Sequence, residues 1–228
     1  MKHEYVFNIS DELGKDFRIG VVLHLDKKHN QFHCGLAFGL DKSPNVIHLA
    51  SHNDLRCDEN LEEFECIIKT NLHQFTQESF ESLCEVIRKD IHNGKIQVPY
   101  GFLYDDYALI HDDGTLELTP NEVGLTCATY VLTLFHSCGY NLVDIKSWPP
   151  RKEDIPWYSN MVSLFDRFGK ILGVSSEHLE RLKQQINVPR FRPEEVAVSS
   201  ALFNGQPAET PIIWDHGKEL KDYMYTTV

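Results

Sequence analysis

The chain has 228 residues, 42% of them hydrophobic, which is enough to bury the core of one domain with elaborations. Its 34 acidic residues outnumber its 22 basic residues and give a formal net charge of -12. Because phosphate neutralisation requires a concentrated basic surface, this balance argues against nucleic-acid binding and against attraction to anionic lipid surfaces.

The polar start of the chain lacks the apolar region of a signal peptide, and no segment has the apolar length of a membrane span. The six cysteines form no CxxC pair and lie mostly within apolar segments. This pattern is typical of free thiols in a reducing compartment. We therefore expect a cytoplasmic protein with no integral membrane segment and no cofactor, and the oligomeric state stays open.

Strands are predicted in the first seventy residues, where β-branched and aromatic residues form runs between turn-rich sequences such as DKKHN and DKSPN. A meander is the simplest way to connect them. The predicted strands cover residues 18–25, 31–40, 45–50 and 64–69.

An amphipathic helix is predicted next, because apolar residues recur at three- and four-residue spacing between residues 76 and 93. Thr76 is expected to cap its start, and Gly94 its end. The segment that follows, residues 98–120, is aromatic and rich in turns, and a hairpin is predicted around Asp112 to Gly114.

A second helix is predicted from Cys127 to Cys138, because its apolar residues line one face. Thr126 is a candidate N-cap and Gly139 a candidate C-cap. These boundaries place Cys127 in the first helical turn.

The sequence changes character after Asn141. The stretch WPPRKEDIPW predicts a linker, three helical patterns follow it, and the tail containing PIIWDHGKEL is predicted to be irregular. We therefore expect a catalytic domain over residues 1–145 and a helical extension over residues 146–228. The three helical patterns cover residues 156–168, 175–186 and 192–202.

Cys127 is the candidate nucleophile. The partial positive charge at a helix start favours a thiolate, and the free N–H groups there can stabilise an oxyanion on an attacked carbonyl. Cys138 lies at the opposite end of the same helix, where the dipole opposes a thiolate, and Cys84 lies on the apolar face of the first helix. The alternative is that Cys127 is simply a small buried residue.

Among the twelve histidines, His33 and His48 are the candidates for the base, because they lie on neighbouring strands of the predicted sheet. By strand alternation His33, Gly35 and Ala37 share one face, whereas Cys34 lies on the other. We expect the face of His33 to be open, so that a helix start docks there. The alternative is that His33 is a structural histidine.

Two stretches, HCGLAFG and NVIHLA, resemble the H-x-G/A-I/L-Y-x-G and V-I-H-L-A strands of the lecithin:retinol acyltransferase-like group of permuted papain-fold proteins. The segments PYGFLYDDY and LTCATYVLTLFHSCGYNLV are similar to the aromatic loop and cysteine helix of bacterial permuted hydrolases of the NlpC-like superfamily. The resemblance implies an α+β, papain-like, circularly permuted fold, in which an antiparallel sheet packs against the cysteine-bearing helix. It also implies that Cys127 is the nucleophile, His33 its base and His48 the group that orients the base.

The chain departs from the acyltransferase branch, which has N-C-E-H-F where this chain has Thr126-Cys127-Ala128-Thr129-Tyr130, and no apolar C-terminal anchor is evident. We therefore expect hydrolysis of an amide bond in a peptide or protein, with hydrolysis or transfer of an acyl-lipid or thioester group as the alternative. A non-catalytic protein-binding module on the same fold is the second alternative. If His48 does not orient the base, the candidates are Asp41, Asn53 and Asp54.

A metal site is the competing interpretation, because His29 and His33, like His48 and His52, are four residues apart, and Cys57 is near. On a strand, residues at this spacing lie about 13 Å apart, too far to share an ion. We therefore expect no metal.

Other polar pairs carry less information. Asp215 and His216 are adjacent in the tail, and no GxSxG-type elbow supplies a serine partner for them. The pairs Asp105-Asp106 and Asp112-Asp113 are expected to lie in turns.

Overall fold

The computed structural model describes residues 5–8, 18–40, 43–105, 108–121 and 123–227. The described residues form an α+β fold with one six-stranded antiparallel sheet and six α-helices, which confirms the predicted class. Asp41 and Asp106 lie outside the described residues.

All four predicted strands are present, and two further strands, β1 and β5, were not predicted. The strand order is β1-β6-β2-β3-β4-β5. The meander is therefore confirmed from β2 to β5, whereas β6 crosses back and pairs with β2 on its other side. The strands are β1 (Val6–Asn8), β2 (Ile19–Asp26), β3 (Gln31–Phe38), β4 (Asn45–Ser51), β5 (Asp54–Asp58) and β6 (Cys66–Lys69).

Each face of the sheet carries a separate apolar cluster. The larger cluster includes Cys34 and Leu36 and extends into the helices, whereas the smaller one joins Ala37 and Val46 to Leu61 and Phe64. The His33 face is therefore not open as predicted, and only the start of the cysteine helix, at Cys127, reaches His33. The segment between β5 and β6 covers that face, and the cysteine helix packs on the Cys34 side.

The five predicted helices end close to their predicted bounds, and the predicted hairpin is formed by Leu109–Ile110 and Leu116–Glu117. Thr76 does not cap α1, which begins after His73, and its hydroxyl instead bonds to Tyr140. No helix in the described part of the chain has the length and apolar character needed to cross a membrane. The helices are α1 (Gln74–His92), α2 (Cys127–Ser137), α3 (Ile155–Leu172), α4 (Ser176–Gln184), α5 (Pro193–Leu202) and α6 (Thr210–Thr227).

The sequence WPPRKEDIPW is not an exposed linker, because Trp148 and Asp154 are both buried within it. The Asp154 carboxylate accepts hydrogen bonds from Arg151 Nε at 3.1 Å and from Arg190 Nη1 and Arg192 Nε at 3.0 Å. A fully buried carboxylate requires such partners. This ion cluster ties the stretch to the start of α5.

The tail predicted to be irregular is helix α6 (Thr210–Thr227), which packs against α5. Its buried residues Ile213, Gly217, Leu220 and Met224 follow four- and three-residue spacing. Gly217 weakens the helical pattern, but a Cβ there would lie 3.0 Å from Glu195 Cγ, so the glycine allows the two helices to approach. Helix α5 in turn contacts β2, β3, β6 and α2, which places the C-terminal segment on the sheet.

Candidate active site

Two glycines bring the chain close together just before the cysteine helix. Leu125 N donates to Pro99 O at 2.9 Å, and Gly101 N donates to Leu125 O at 3.2 Å. A Cβ at Gly124 would lie 2.1 Å from Pro99 O, and a Cβ at Gly101 2.4 Å from Gly124 O. No other residue type fits at these positions without displacing backbone, so the glycines fix the approach to α2.

The start of α2 has the predicted cap. The Thr126 hydroxyl accepts from Thr129 N at 3.1 Å, and Thr126 N donates to the Thr129 hydroxyl at 2.7 Å, which forms a capping box. The box satisfies the third amide of the helix and leaves those of Cys127 and Ala128 without an intrahelical acceptor. The helix start therefore presents two N–H groups that no other residue of α2 accepts from.

Cys127 differs from the other five cysteines in its electrostatics. The hydrogen bond from the Cys34 thiol lowers its pKa most, the positive charge of His33 lowers it further, and together they outweigh burial, so the pKa lies well below its ordinary value. Burial raises the pKa of the other thiols, to about 11 at Cys138 and to well above its ordinary value at Cys84. Cys127 is therefore the one thiol of the six whose surroundings favour the thiolate over the thiol.

His33 is the partner of that thiolate. Burial alone would lower its pKa, but the charge of Cys127 and their hydrogen bond outweigh burial, and the pKa is raised. A lowered thiol pKa beside a raised imidazole pKa favours a thiolate–imidazolium pair in the pH range between them. The structure thus brings together the two residues predicted to react.

A hydrogen-bonded chain runs from His33 to a carboxylate. His33 Nε2 lies 2.7 Å from His48 Nδ1, and His48 Nε2 lies 2.7 Å from Asp58 Oδ2. Because the carboxylate accepts, the proton of neutral His48 lies on Nε2, and its Nδ1 accepts from His33 Nε2–H. His33 Nδ1 is then the nitrogen available to Cys127.

Local features of the sheet make room for the two rings. Pairing of β3 with β4 is limited to residues 36–38, so the first half of β3 is open on this side. A Cβ at Gly35 would lie 2.9 Å from His48 Cβ, and its absence admits that side chain. Phe64 covers both rings, with its centroid 6.2 Å from that of His33 and 5.6 Å from that of His48.

Asp58 was not predicted, although it occupies the position expected of an orienting group. Of the alternatives named from the sequence, Asn53 donates its backbone N–H to Val98, and Asp54 is held by Arg56 Nη2 at 2.6 Å. The strict alternation in Asp54-Leu55-Arg56-Cys57-Asp58 is the signal that could have identified an edge strand and placed Asp58 beside His48.

We expect Asp58→Ala to lower kcat/KM about tenfold, the scale of the loss when a residue that orients a functional histidine is removed. Without the carboxylate, His48 can carry its proton on Nδ1 and no longer accept from His33. Asp58→Asn should recover much of the loss, because its amide oxygen still accepts from His48 Nε2. The measurement is kcat/KM of both variants, and equal loss in both would contradict this role.

The cysteine lies in a cleft of about 290 Å³. His24, Asp26 and His33 line it from the sheet, and a second wall comes from the C-terminal segment. That wall was missed from the sequence because it is formed by residues 30 to 66 positions after the cysteine. Its main side chains are Trp157, Met161, Phe165, Arg190 and Phe191.

The other candidates are not assembled into sites. Among the described residues, no group of three or more His, Cys, Asp or Glu side chains is arranged to hold a metal ion. His29 Nδ1 bonds to Asp26 at 2.6 Å on the surface. Asp215 and His216 lie on α6, outside the cleft.

No protein-family model matches this chain, and no curated protein or solved structure is significantly similar to it. A functional proposal therefore depends on the arrangement of its own residues.

Proposed function

We propose that this chain is a cysteine hydrolase that cleaves an amide bond through an acyl-enzyme on Cys127. The observation that carries the proposal is the single thiol of lowered pKa, which lies at a helix start beside His33 in an open cleft. The likeness of HCGLAFG and NVIHLA to the strands of permuted papain-fold proteins also supports it.

The reaction begins when the Cys127 sulfur adds to the substrate carbonyl carbon and the C=O electron pair moves to oxygen. Collapse of this adduct re-forms the carbonyl, breaks the C–N bond, and the leaving nitrogen takes a proton from the His33 imidazolium. Water then attacks the thioester and gives its proton to His33, and the released thiolate restores the starting state. His48 and Asp58 hold the His33 ring throughout.

The lining of the cleft favours a substrate with an apolar group next to the reacting carbonyl. Trp157, Phe165 and Phe191 give the cleft an apolar wall. Arg190 is not free to pair with a substrate anion, because it binds Asp154 and its guanidinium lies 3.9 Å from the Trp157 ring centroid. An uncharged peptide segment therefore fits this wall better than an acidic one.

Hydrolysis or transfer of an apolar acyl group is the second candidate, and the surface of α3 favours it. Leu164 lines the cleft and is 43% exposed, and the apolar row continues to Phe168, 40% exposed, and Ile171, 84% exposed. An apolar ridge that leads from solvent to the thiol would suit an acyl chain.

The test is to incubate the protein and its Cys127→Ala variant with a panel of peptide amides, acyl esters and acyl thioesters. Product formation is followed, and the intact protein mass is recorded during turnover. We expect an acyl adduct on Cys127 and faster release of amine from peptide amides than of acid from long-chain esters.

Preference for long-chain esters or thioesters would replace the amide proposal with the acyl alternative. If no substrate gives an adduct and a thiol reagent labels Cys127 no faster than Cys138, the chain is a binding module rather than an enzyme.

A further inference from the structure

Two cysteines lie in contact at the start of α2. The Cys34 thiol and the Cys34 backbone N–H both donate hydrogen bonds to the Cys127 sulfur. Strand β4 does not compete for that N–H, because β3 pairs with β4 only over residues 36–38. Cys34 follows His33 directly on β3, so one strand holds both the proposed base and a second thiol beside Cys127.

The two thiols differ in their access to solvent. Cys127 lines the cleft of about 290 Å³ and is partly exposed, whereas Cys34 is fully buried. A small molecule that enters the cleft therefore meets the Cys127 sulfur and not the Cys34 sulfur.

The surroundings of the two thiols also separate their protonation states. The hydrogen bond from the Cys34 thiol is the largest of the causes that hold the pKa of Cys127 well below its ordinary value. Burial, together with the hydrogen bond to Cys127, raises the pKa of Cys34 well above its ordinary value, so Cys34 stays protonated. An accessible thiolate beside a shielded thiol is typical of cysteines that are oxidised and then resolved as a disulfide.

The other four cysteines lie elsewhere. Cys138 is past the opposite end of α2, about 16 Å from Cys127 along the helix axis. Cys66 and Cys57 lie on β6 and β5, and an intervening strand separates each of these from β3. Cys84 lies on α1. Cys34 is therefore the thiol placed to react with an oxidised Cys127.

We propose that Cys127 and Cys34 form a disulfide when a hydroperoxide enters the cleft, so that oxidation inactivates the proposed hydrolase reversibly. The disulfide is a property of the two thiols, and only its regulatory effect rests on the proposed function.

The oxidation takes two steps. The Cys127 thiolate attacks one peroxide oxygen, the O–O bond breaks, and the departing oxygen takes the proton of the His33 imidazolium. Cys127 is then a sulfenic acid, and the loss of its negative charge removes one of the influences that raise the pKa of Cys34. The Cys34 sulfur attacks the sulfenic sulfur, the S–O bond breaks, and the departing hydroxide leaves as water with the Cys34 proton. The peroxide is reduced, and the sulfurs move from hydrogen-bond contact to a bond of about 2.0 Å.

The disulfide protects Cys127 as well as inactivating it. A sulfenic acid that meets no thiol is oxidised further to a sulfinic acid, which thiol reductants do not restore. A disulfide, in contrast, is reopened by a dithiol through thiol–disulfide exchange. Recovery of the thiol after oxidation is therefore the property that depends on Cys34.

The first measurement is a peptide map of the wild-type protein after treatment with hydrogen peroxide. Free thiols are blocked with N-ethylmaleimide before the protein is unfolded, so that no disulfide forms or exchanges afterwards. We expect the intact protein to lose the mass of two hydrogen atoms and the map to join the peptides of Cys34 and Cys127.

The variant Cys34→Ser separates the disulfide from the hydrogen bond, because a hydroxyl can still donate to the Cys127 thiolate but forms no disulfide. Acylation of Cys127 by p-nitrophenyl acetate is followed before peroxide, after peroxide and after dithiothreitol, as a fraction of each protein's own untreated rate. Dithiothreitol should restore most of the rate in the wild type but less than about a tenth in Cys34→Ser, where Cys127 gains two oxygen atoms as a sulfinic acid. The matched control, Cys138→Ser, changes a half-buried thiol beyond the far end of α2 and should recover as the wild type does.

A map that joins Cys127 to another cysteine, or that shows oxidised Cys127 beside a free Cys34 thiol, overturns the proposal. Equal recovery in the wild type and in Cys34→Ser overturns it as well. The map requires only the wild-type protein, so it decides the question even if Cys34→Ser does not fold. The proposed function fails separately, if p-nitrophenyl acetate acylates untreated Cys127 but no amide substrate is turned over.

Discussion

Replacing Cys127 by alanine is expected to lower turnover by a factor on the order of 10⁵ to 10⁶, as for removal of an acyl-enzyme nucleophile. The fold should persist, because alanine is a good helix former and the Thr126 cap is unaffected. Labelling by a thiol reagent near neutral pH should disappear as well, since burial raises the pKa of each other cysteine. Turnover, labelling and the free energy of unfolding are measured together.

Two other cysteines provide matched controls for this variant. Cys138→Ala changes a half-buried thiol at the opposite end of α2 and should leave turnover unchanged. Cys84→Ala should cost about 1 kcal/mol of stability, on the scale of deleting one buried methyl-sized group, and should also keep turnover. If either control loses activity with unchanged stability, the nucleophile has been assigned to the wrong cysteine.

The helix and strands that carry Cys127, His33 and His48 could be predicted from strong local sequence patterns. The apolar period of α2 and the threonine before it determine where the helix begins, and so place Cys127 in its first turn. The two histidines lie on strands joined by a short turn, which is enough to predict that their rings can meet. Both predictions depend on residues close in sequence, where periodicity and capping chemistry act directly.

The remaining parts of the site depend on contacts that a local pattern does not encode. Cys34 was placed on the face away from His33, yet both contact Cys127, because β3 is unpaired on its β4 side at this point. Asp58 lies on the edge strand β5. Three of the five residues of β5 are charged, so the sequence gives only a weak strand signal there. Trp157 and Phe165 come from the segment predicted to be an extension, and their place in the cleft follows only from the packing of that segment on the sheet.

Replacing His33 by alanine is expected to lower turnover about 10² to 10⁴-fold, the contribution of a positioned acid and base. The imidazolium lowers the pKa of Cys127, so its loss should raise that pKa and shift the alkylation profile to higher pH. The shift should be partial, because the Cys34 thiol is the larger influence and remains in place. Alkylation rate against pH is measured for His33→Ala, Cys34→Ala and the double variant, with the largest shift expected in the double variant.

The fall of turnover at high pH gives a second test of the role of His33. In the wild type, turnover should rise as Cys127 loses its proton at a lowered pKa and fall as the His33 imidazolium loses its proton at a raised pKa. His33→Ala should abolish the fall, because no imidazolium remains to protonate the leaving nitrogen. His48→Ala should retain it at reduced turnover, since the orienting ring is lost but the acid remains, and His136→Ala, at the far end of α2, should match the wild type. An unchanged alkylation profile in His33→Ala would mean that His33 is structural and that Cys34 with the helix start activates the thiol.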